Sequence, residues 1–291
     1  MTTALAPVAA PATARIEGTA LARQIRERAA AEAARITAAT GRPPGLATVL
    51  VGEDSASELY LAAQRHAARA AGIVDLHHHL PATAAQEEVA ALLDALAVDP
   101  QVSGILLQLP LPAHLDTAAL VERIPAHRDV DGLTAANAGY LAQGRPRLLP
   151  CTPSGVMALL DATGIELRGT RAVVVGWGAV VGRPLAQMLL HRGATVTVAH
   201  EHTTDLAAVT RTAQILVVAT GVPGLIGPEH VAPGTTVVDV GVHRTAQGLV
   251  GDVRIEELEG IAARITPVPG GVGPMTTAML LANTVRAADP A

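Results

Sequence analysis

The chain has 291 residues, 49% of them hydrophobic and 16% charged, which fits one large domain or two small ones and excludes an intrinsically disordered chain. Aromatic residues at 1% with no Phe leave no stacking surface for single-stranded nucleic acid, and a net charge of −5 without a basic run argues against a polyanion groove. The lone Cys151 excludes an intramolecular disulfide framework and a multi-thiolate zinc site, and no apolar stretch is long enough to span a membrane.

The composition therefore reads as a soluble, cytoplasmic, globular protein without a nucleic-acid or membrane partner. The Ala/Pro/Thr-rich segment Met1–Ala14 lacks the basic start and apolar centre of a signal peptide and is expected to be a disordered tail. From Glu17 onward, helical and strand signals alternate. Glu17–Ala39 has Leu21, Ile25 and Ala29 at helical spacing, and Leu46–Val51 is a short apolar strand ended by Gly52-Glu53-Asp54. A helix over Ser55–Ala71 stops at Gly72, followed by strand Val74–Leu80, helix Ala84–Leu96 and strand Gly104–Leu109. Strands separated by helices of this length imply crossover units and a parallel sheet, with ligands at the carboxyl ends of the strands. Pro125–Pro153 is rich in turn formers and reads as a long functional connection.

A second set follows: helix Ser154–Thr163, strand Arg171–Val175, helix Val181–Arg192, and strands Ala194–Ala199, Ile215–Ala219 and Thr235–Val240. The chain closes with the Gly/Pro-rich Pro267–Pro274 and an apolar helix Met275–Arg286. The expected fold is α/β in two lobes with a cleft between them.

The strongest local motif is Gly176-Trp177-Gly178-Ala179-Val180-Val181-Gly182, directly after a strand and opening a helix. Glycines there permit a tight turn and let the backbone approach a pyrophosphate, which the helix N-terminus then holds. Glu201, at the end of the next strand, sits near where an acidic residue takes the ribose hydroxyls of NAD. An ordinary strand–helix turn is the alternative. His200 and His202 flank Glu201 and are expected to line the same cleft. His77-His78-His79 cannot converge on one ion, because successive strand residues point to opposite faces; a solvated strand end is the expectation and no metal site is assigned. Cys151 reads as a packing residue. Asp129 and Asp131 could be a carboxylate pair or turn formers beside Gly132; the local sequence leaves both open.

Together these segments resemble the bifunctional methylenetetrahydrofolate dehydrogenase/methenyltetrahydrofolate cyclohydrolases. The resemblance runs through Val51-Gly52-Glu53-Asp54, Ala56-Ser57-Glu58-Leu59-Tyr60, Gly104–Pro112, Asp129-Val130-Asp131-Gly132, Asn137-Ala138-Gly139 and Pro150-Cys151-Thr152-Pro153. The second half adds Val181-Gly182-Arg183-Pro184, Asp239-Val240-Gly241, Gly251-Asp252-Val253 and Thr266–Thr276. It implies a folate-binding lobe over residues 15–150, rejoined by a final helix at 274–291, a Rossmann-type nucleotide lobe over 151–273, and a homodimer. It implies catalytic roles for Tyr60, Gln64, Gln108 and Asp131, and folate contacts from Tyr60, Gln108, Leu109, Pro110, Asp131, Pro269, Gly270, Gly271 and Pro274. Contacts to NAD or NADP are expected from Gly176, Trp177, Gly178, Val181, Gly182, Arg183, His200, Glu201, Thr220, Gly241 and Val242. A carboxylate such as Asp131 can accept hydrogen bonds from both the amide and the amine of a pterin. Hydride removal leaves a cation shared by two nitrogens, so alignment carries that step rather than a strong acid or base.

Three positions depart from the family pattern. Gln64 stands where the family has a lysine, on the same helix face as Tyr60 by i, i+4 spacing. Trp177-Gly178 replaces the usual Arg/Ala-Ser pair, and Glu201 stands where NADP-linked members often have Ser or Arg. Arg128 for Lys before Asp129 is milder. The resulting expectation is a methylenetetrahydrofolate dehydrogenase that prefers NAD and has weak or absent cyclohydrolase activity. The alternatives are an intact bifunctional enzyme, a cleft acting on another folate or pterin, and a catalytically silent binder. For the cofactor, the alternative is that Glu201 points to solvent and Arg183 or His200 takes the 2′-phosphate.

Overall fold

The computed structural model describes residues 12–52, 55–246 and 248–289. Residues 1–11 of the expected tail, and Glu53 and Asp54 of the first strand-ending turn, lie outside the described residues.

The chain opens with β1 (Ala14–Arg15) and α1 (Gly18–Thr40). The first lobe follows: β2 (Gly45–Val51), α2 (Ser55–Ala70), β3 (Val74–Leu80), α3 (Gln86–Val98), β4 (Gly104–Leu107) and the short α4 (Thr117–Val121). Its three strands pair in parallel in the order β3–β2–β4. Every residue of β2 is buried, which is why the central strand reads as a continuous apolar run rather than an alternating one. His77 and His79 share one face of β3 and are tied to the first strand-loop unit: His77 Nδ1 lies 2.9 Å from Thr48 Oγ1, and His79 Nε2 lies 2.8 Å from the Gly52 carbonyl. Two of the three histidines are thus held by hydrogen bonds, while His77 and His78 are half-buried and His79 is exposed, in keeping with a partly solvated strand end.

Two further helices, α5 (Ala135–Ala142) and α6 (Cys151–Ala162), lead to the second lobe. There β5 (Arg171–Val175), α7 (Gly182–His191), β6 (Thr195–Ala199), α8 (Leu206–Thr210), β7 (Ile215–Val218) and β8 (Thr236–Asp239) follow in chain order. A β9 (His243–Thr245)–β10 (Gly248–Val250) hairpin, β11 (Arg264–Ile265) and α9 (Val272–Ala288) complete the chain. The six-stranded parallel sheet has the order β1–β11–β8–β7–β5–β6. No helix among the described residues is long and apolar enough to cross a membrane.

α1 and α9 tie the lobes together. Val272, Met275 and Ala278 of α9 pack into the core that holds Val174, Ile215 and Val238, whereas Leu280, Leu281 and Val285 pack into the core that holds Leu46, Leu50 and Leu106. α1 divides in the same way, with Ala22 in the first core and Ala29, Ala33 and Ile36 in the second. Each fully buried Leu or Ile contributes about 1.5–3 kcal/mol of burial free energy, so both lobes stand on the same two helices.

Three expectations change. Ala14 is not tail and Arg15 does not join the first sheet: both pair with Arg264–Ile265 at the edge of the second sheet, and the Thr13 hydroxyl donates to the Ala262 carbonyl at 2.7 Å. A two-residue strand is too short to show a period. The final helix belongs to both lobes rather than to the first alone. The connection Pro125–Pro153, read as a turn-rich link, contains α5 and opens α6; the Thr134 hydroxyl accepts from the Asn137 N–H and caps α5.

Candidate active site

The carboxyl ends of β4 and β8 face one cleft. Tyr60, Gln108 and Pro110 line one side of it, and Val181, Asp239, Val240 and Val242 line the other, around about 680 Å³. The segment Pro267–Pro274 forms the floor. It is held in place by the Gly18 N–H donating to the Gly270 carbonyl and the Gly271 N–H donating to the Pro267 carbonyl, both at 2.9 Å. The Leu109–Pro110 and Val268–Pro269 bonds that border this cleft are cis.

A smaller cavity of about 160 Å³ opens from the first-lobe side, lined by Tyr60, Gln64, Gln108, Leu109, Asp131, Cys151 and Thr276 among others. α2 carries Tyr60 and Gln64 one turn apart, as the i, i+4 spacing predicts. Gln64 is 3% exposed, and its Oε1 has no hydrogen-bond partner. The Tyr60 ring is partly exposed, but its hydroxyl is set against Thr276 and Thr277; burial pushes it up and these hydrogen bonds only partly offset that. Gln108 donates from Nε2 to the Leu109 carbonyl at 2.9 Å, which fixes its amide at the pocket mouth.

The two aspartates of the Arg128–Gly132 segment have different fates. Asp129 is buried, and its Oδ2 accepts from the Thr134 N–H and hydroxyl at 2.8 Å and from Asn137 Nδ2 at 2.9 Å. It is a structural anchor. Asp131 lines the cavity instead, and burial, reinforced by the Asp129 charge and opposed by hydrogen bonding to Cys151, pushes its carboxyl up to about 7. The Cys151 thiol donates to the Val130 carbonyl, and burial pushes it well up. Cys151 packs, as its sequence context suggests, but it also forms part of the cavity wall.

On the second-lobe side, a cleft of about 800 Å³ is lined by Gly176, Trp177, Gly178, Arg183, His200, Glu201, His202 and Thr220 among others. The glycines of the turn are not equivalent. At Gly176, φ is +110° and an added Cβ would lie 2.1 Å from the Ala219 carbonyl; at Gly182 it would lie 1.9 Å from the Gly176 carbonyl. Those two are required by the turn itself. A Cβ at Gly178 would meet nothing within 4 Å, so its bare backbone leaves room for a ligand rather than for the protein. α7 begins after Val181 with no side-chain cap on its first turn, which suits a pyrophosphate at a helix N-terminus. These features fit a dinucleotide.

At the outer end of the cleft, Trp177 is 44% exposed. Arg183 lies over its ring at 5.6 Å from the centroid and donates from Nε to the Trp177 carbonyl at 3.1 Å. The Glu201 side chain is 80% exposed, with His202 Nε2 3.7 Å from its Oε1. Thr220 lines the cleft while its N–H and hydroxyl donate to Asp252.

The expected site residues therefore divide. Leu109 joins the small cavity; Pro110, Pro269, Gly270, Gly271 and Pro274 border the central cleft; Tyr60 and Gln108 border both. Of the expected nucleotide contacts, Val181 and Val242 border the central cleft rather than the nucleotide cleft. Gly182 and Gly241 line neither cleft nor cavity: Gly241 is buried, and a Cβ there would lie 2.1 Å from Asp252 Oδ1. Sequence reasoning missed the support beneath the nucleotide cleft. Asp239 accepts from the N–H groups of Gly241, Asp252 and Val253, and Asp252 accepts from Thr220, Gly221 and, at 2.7 Å, pairs with His243. The repeated Gly-Asp and Asp-Val-Gly pairing of acid with glycine was the available signal.

Comparison with known proteins agrees with this geometry. Residues 16–131 match the catalytic domain of tetrahydrofolate dehydrogenase/cyclohydrolase, and residues 150–291 match its NAD(P)-binding domain. The chain is 59% identical over 276 residues to the bifunctional protein FolD 2 of Frankia alni, covering 95% of this chain and 96% of that protein. The crystal structure of the FolD methylenetetrahydrofolate dehydrogenase/cyclohydrolase of Campylobacter jejuni superposes with a TM-score of 0.92 at 44% identity, over 95% of this chain and 98% of that one. That of the Trypanosoma brucei enzyme, complexed with NADP and an inhibitor, superposes with a TM-score of 0.91 at 39% identity, over 96% and 98%. Fold, cleft and sequence agree that this chain belongs to the tetrahydrofolate dehydrogenase/cyclohydrolase family.

Proposed function

We propose that this protein oxidises 5,10-methylenetetrahydrofolate to 5,10-methenyltetrahydrofolate with NAD in preference to NADP, and has little or no methenyltetrahydrofolate cyclohydrolase activity. The observation that supports the second half is Gln64: a buried neutral amide stands in the cavity wall, at the position where the resemblance implies a lysine. No other lysine can move in. The 21 basic residues of the Lys+Arg count are all arginine, so the chain contains no lysine.

The site is suited to the oxidation. Asp131 offers a carboxylate to the pterin amide and amine, Tyr60 and the Pro267–Pro274 floor flank the folate, and Gln108 sits at the junction of the two cavities. The backbone of Gly176–Gly178 and the first turn of α7 would hold the dinucleotide, which when bound accepts the hydride. None of these residues has to give up or take a proton, because hydride loss leaves a stable amidinium. Hydrolysis of that amidinium is different: water must be deprotonated and the ring nitrogen protonated. A desolvated lysine can do both, whereas an amide does neither. Loss of that proton transfer lowers the rate about 10²–10⁴-fold.

The preference for NAD rests on the turn. Trp177-Gly178 removes the polar pair that faces a 2′-phosphate in the resemblance, Arg183 is engaged by Trp177, and Glu201 is an anion at the ribose end of the cleft. The reading carries with it the family's homodimer and a cytoplasmic place of action.

A second reading keeps both activities, as the name of the Frankia relative suggests. Here Asp131, pushed up to about 7, would exchange the protons. The test is methenyltetrahydrofolate decay at its own absorbance band, corrected for spontaneous hydrolysis. The proposal expects no acceleration by the natural protein and strong acceleration by Gln64→Lys. Strong acceleration by the natural protein that Asp131→Asn abolishes would establish the second reading instead.

A further inference from the structure

Two walls of the nucleotide cleft differ in hydrogen-bonding character. One is the Gly176–Gly178 turn with the uncapped first turn of α7, where backbone N–H groups are on offer. The other is the loop after β7, from which Ala219, Thr220, Val222 and Leu225 line the cleft. There the donors are already committed. The Ala219 N–H donates to the Val175 carbonyl at 2.8 Å, the Gly224 N–H to the Gly251 carbonyl at 3.1 Å and the Leu225 N–H to the Val222 carbonyl at 3.4 Å; Pro223 has no N–H. The other donors turn toward Asp252. Its Oδ2 accepts from the Thr220 N–H at 2.6 Å, the Thr220 hydroxyl at 2.9 Å and the Gly221 N–H at 3.0 Å. The Val222 N–H donates to the Thr220 hydroxyl oxygen at 3.2 Å. Asp252 itself is fully buried and lines neither the nucleotide cleft nor the central one. It is fixed from behind: Oδ1 pairs with His243 Nε2 at 2.7 Å, and its N–H donates to Asp239 Oδ1 at 3.0 Å. The Asp239 N–H in turn donates to Thr266 Oγ1 at 2.8 Å, one residue before the floor segment.

We infer that Asp252 is a positioning residue for the dinucleotide. By drawing the donors of Thr220 and Gly221 inward, it leaves the loop after β7 as a wall of acceptors that takes the ribose hydroxyls or the carboxamide of the bound dinucleotide. The pyrophosphate goes to the N–H wall opposite. An ionised phosphate oxygen only accepts, so it gains nothing from carbonyls, whereas hydroxyl and amide groups can donate to them. Three donors converging on one desolvated carboxylate oxygen make a strong hold, because hydrogen bonds to a buried charge are stronger than neutral ones. The inference rests on the NAD(P)-binding assignment of the second lobe, and neither on Gln64 nor on the choice between NAD and NADP.

The test is calorimetric titration of the natural protein, Asp252→Asn, Thr220→Val and the double variant with NAD and with tetrahydrofolate. Asp252→Asn keeps the shape but makes the acceptor neutral, and the affinity for NAD should fall roughly tenfold, with that for tetrahydrofolate changed less than twofold. Thr220→Val, which removes only the hydroxyl, should weaken NAD about threefold. In the double variant the second change should add less than its own loss, because both act through the same bonds. Inorganic pyrophosphate, read by its displacement of NAD, should bind Asp252→Asn within twofold of the natural protein. Equal weakening toward NAD and tetrahydrofolate would make Asp252 a general support of the fold, and unchanged NAD affinity would make the loop irrelevant to the dinucleotide. Fully additive losses would mean that Thr220 acts without Asp252, and pyrophosphate weakened as much as NAD would put the phosphates on the Thr220 wall. Each of these results overturns the inference. If Asp252→Asn does not fold, Thr220→Val decides by the same comparison of NAD with tetrahydrofolate. Titration with NADP reads the same ratios, so a preference for NADP would contradict the cofactor reading above and leave this comparison standing.

Discussion

The folate-side cavity and the nucleotide cleft are built on opposite plans. The folate-side cavity is small and walled by side chains held out of water: Gln64 with an unpaired oxygen, Asp131 with a raised pKa, and Cys151 tied to Val130. The nucleotide cleft is several times larger, and its distinctive side chains, Trp177, Glu201 and His202, are exposed at its rim. In the proposed reading its grip would come from backbone: the Gly176 turn, Gly178 and the start of α7. A change of one side chain should therefore matter greatly in the first cavity and modestly in the second, since desolvated polar groups interact strongly and exposed ones are screened.

The largest effect concerns the support the two regions share. Leu281 is fully buried in the half of α9 that packs under the folate-side sheet. Leu281→Ala should cost about 2–5 kcal/mol, read as a lower urea midpoint in a single transition for both lobes. Two separate transitions would mean that α1 and α9 do not couple them. Next, Asp131→Ala should weaken folate binding about a hundredfold through the loss of paired charge-assisted hydrogen bonds, with nucleotide affinity changed less than twofold. Equal folate affinity in that variant would remove Asp131 from the site.

A smaller effect follows from the raised pKa of Asp131. Burial favours its neutral form, so below pH 7 the carboxyl is mostly protonated and one of its oxygens no longer accepts. Folate affinity should rise with pH through about 7, by up to about tenfold between pH 6 and 8 from the ionised fraction of a group titrating near 7. Asp131→Asn should flatten the profile. A rise that persists in Asp131→Asn would assign the titration to another group. The smallest effect belongs to the exposed rim. Glu201 is 80% exposed, so Glu201→Gln should raise the affinity for NADP relative to NAD by only about two- to fivefold, as for other exposed charge pairs. Trp177 is the sole tryptophan, and its fluorescence should report both titrations. A change of a hundredfold would show that the bound dinucleotide buries Glu201.

How much of this was legible in the sequence follows the same division. The parallel sheets were, because strands buried on both faces, such as β2 and β7, read as unbroken apolar runs. So was the nucleotide turn, whose Gly176 and Gly182 answer to steric demands within a few residues. The folate-side cavity was only partly legible. Asp129 and Asp131 look alike in sequence; what separates them is that Thr134 and Asn137 come round to saturate the first and leave the second facing the cavity. β1 escaped notice because its partner, β11, lies some two hundred and fifty residues on, and α5 because its cap looks like a turn. The exposure of Glu201 depends on where the loop after β6 goes, which no local pattern encodes. The absence of lysine was in plain view and strengthens the reading of Gln64 more than any local motif.

The central claim, oxidation without hydrolysis, is tested most directly by turnover of the natural protein with methylenetetrahydrofolate and NAD, following the reduced cofactor and the methenyl band together. The proposed loss of hydrolysis predicts that the two rise in equal amounts, the methenyl product then decaying only at its spontaneous rate. Reduced cofactor accumulating while the methenyl band stays low, with formyltetrahydrofolate as the product, would contradict it.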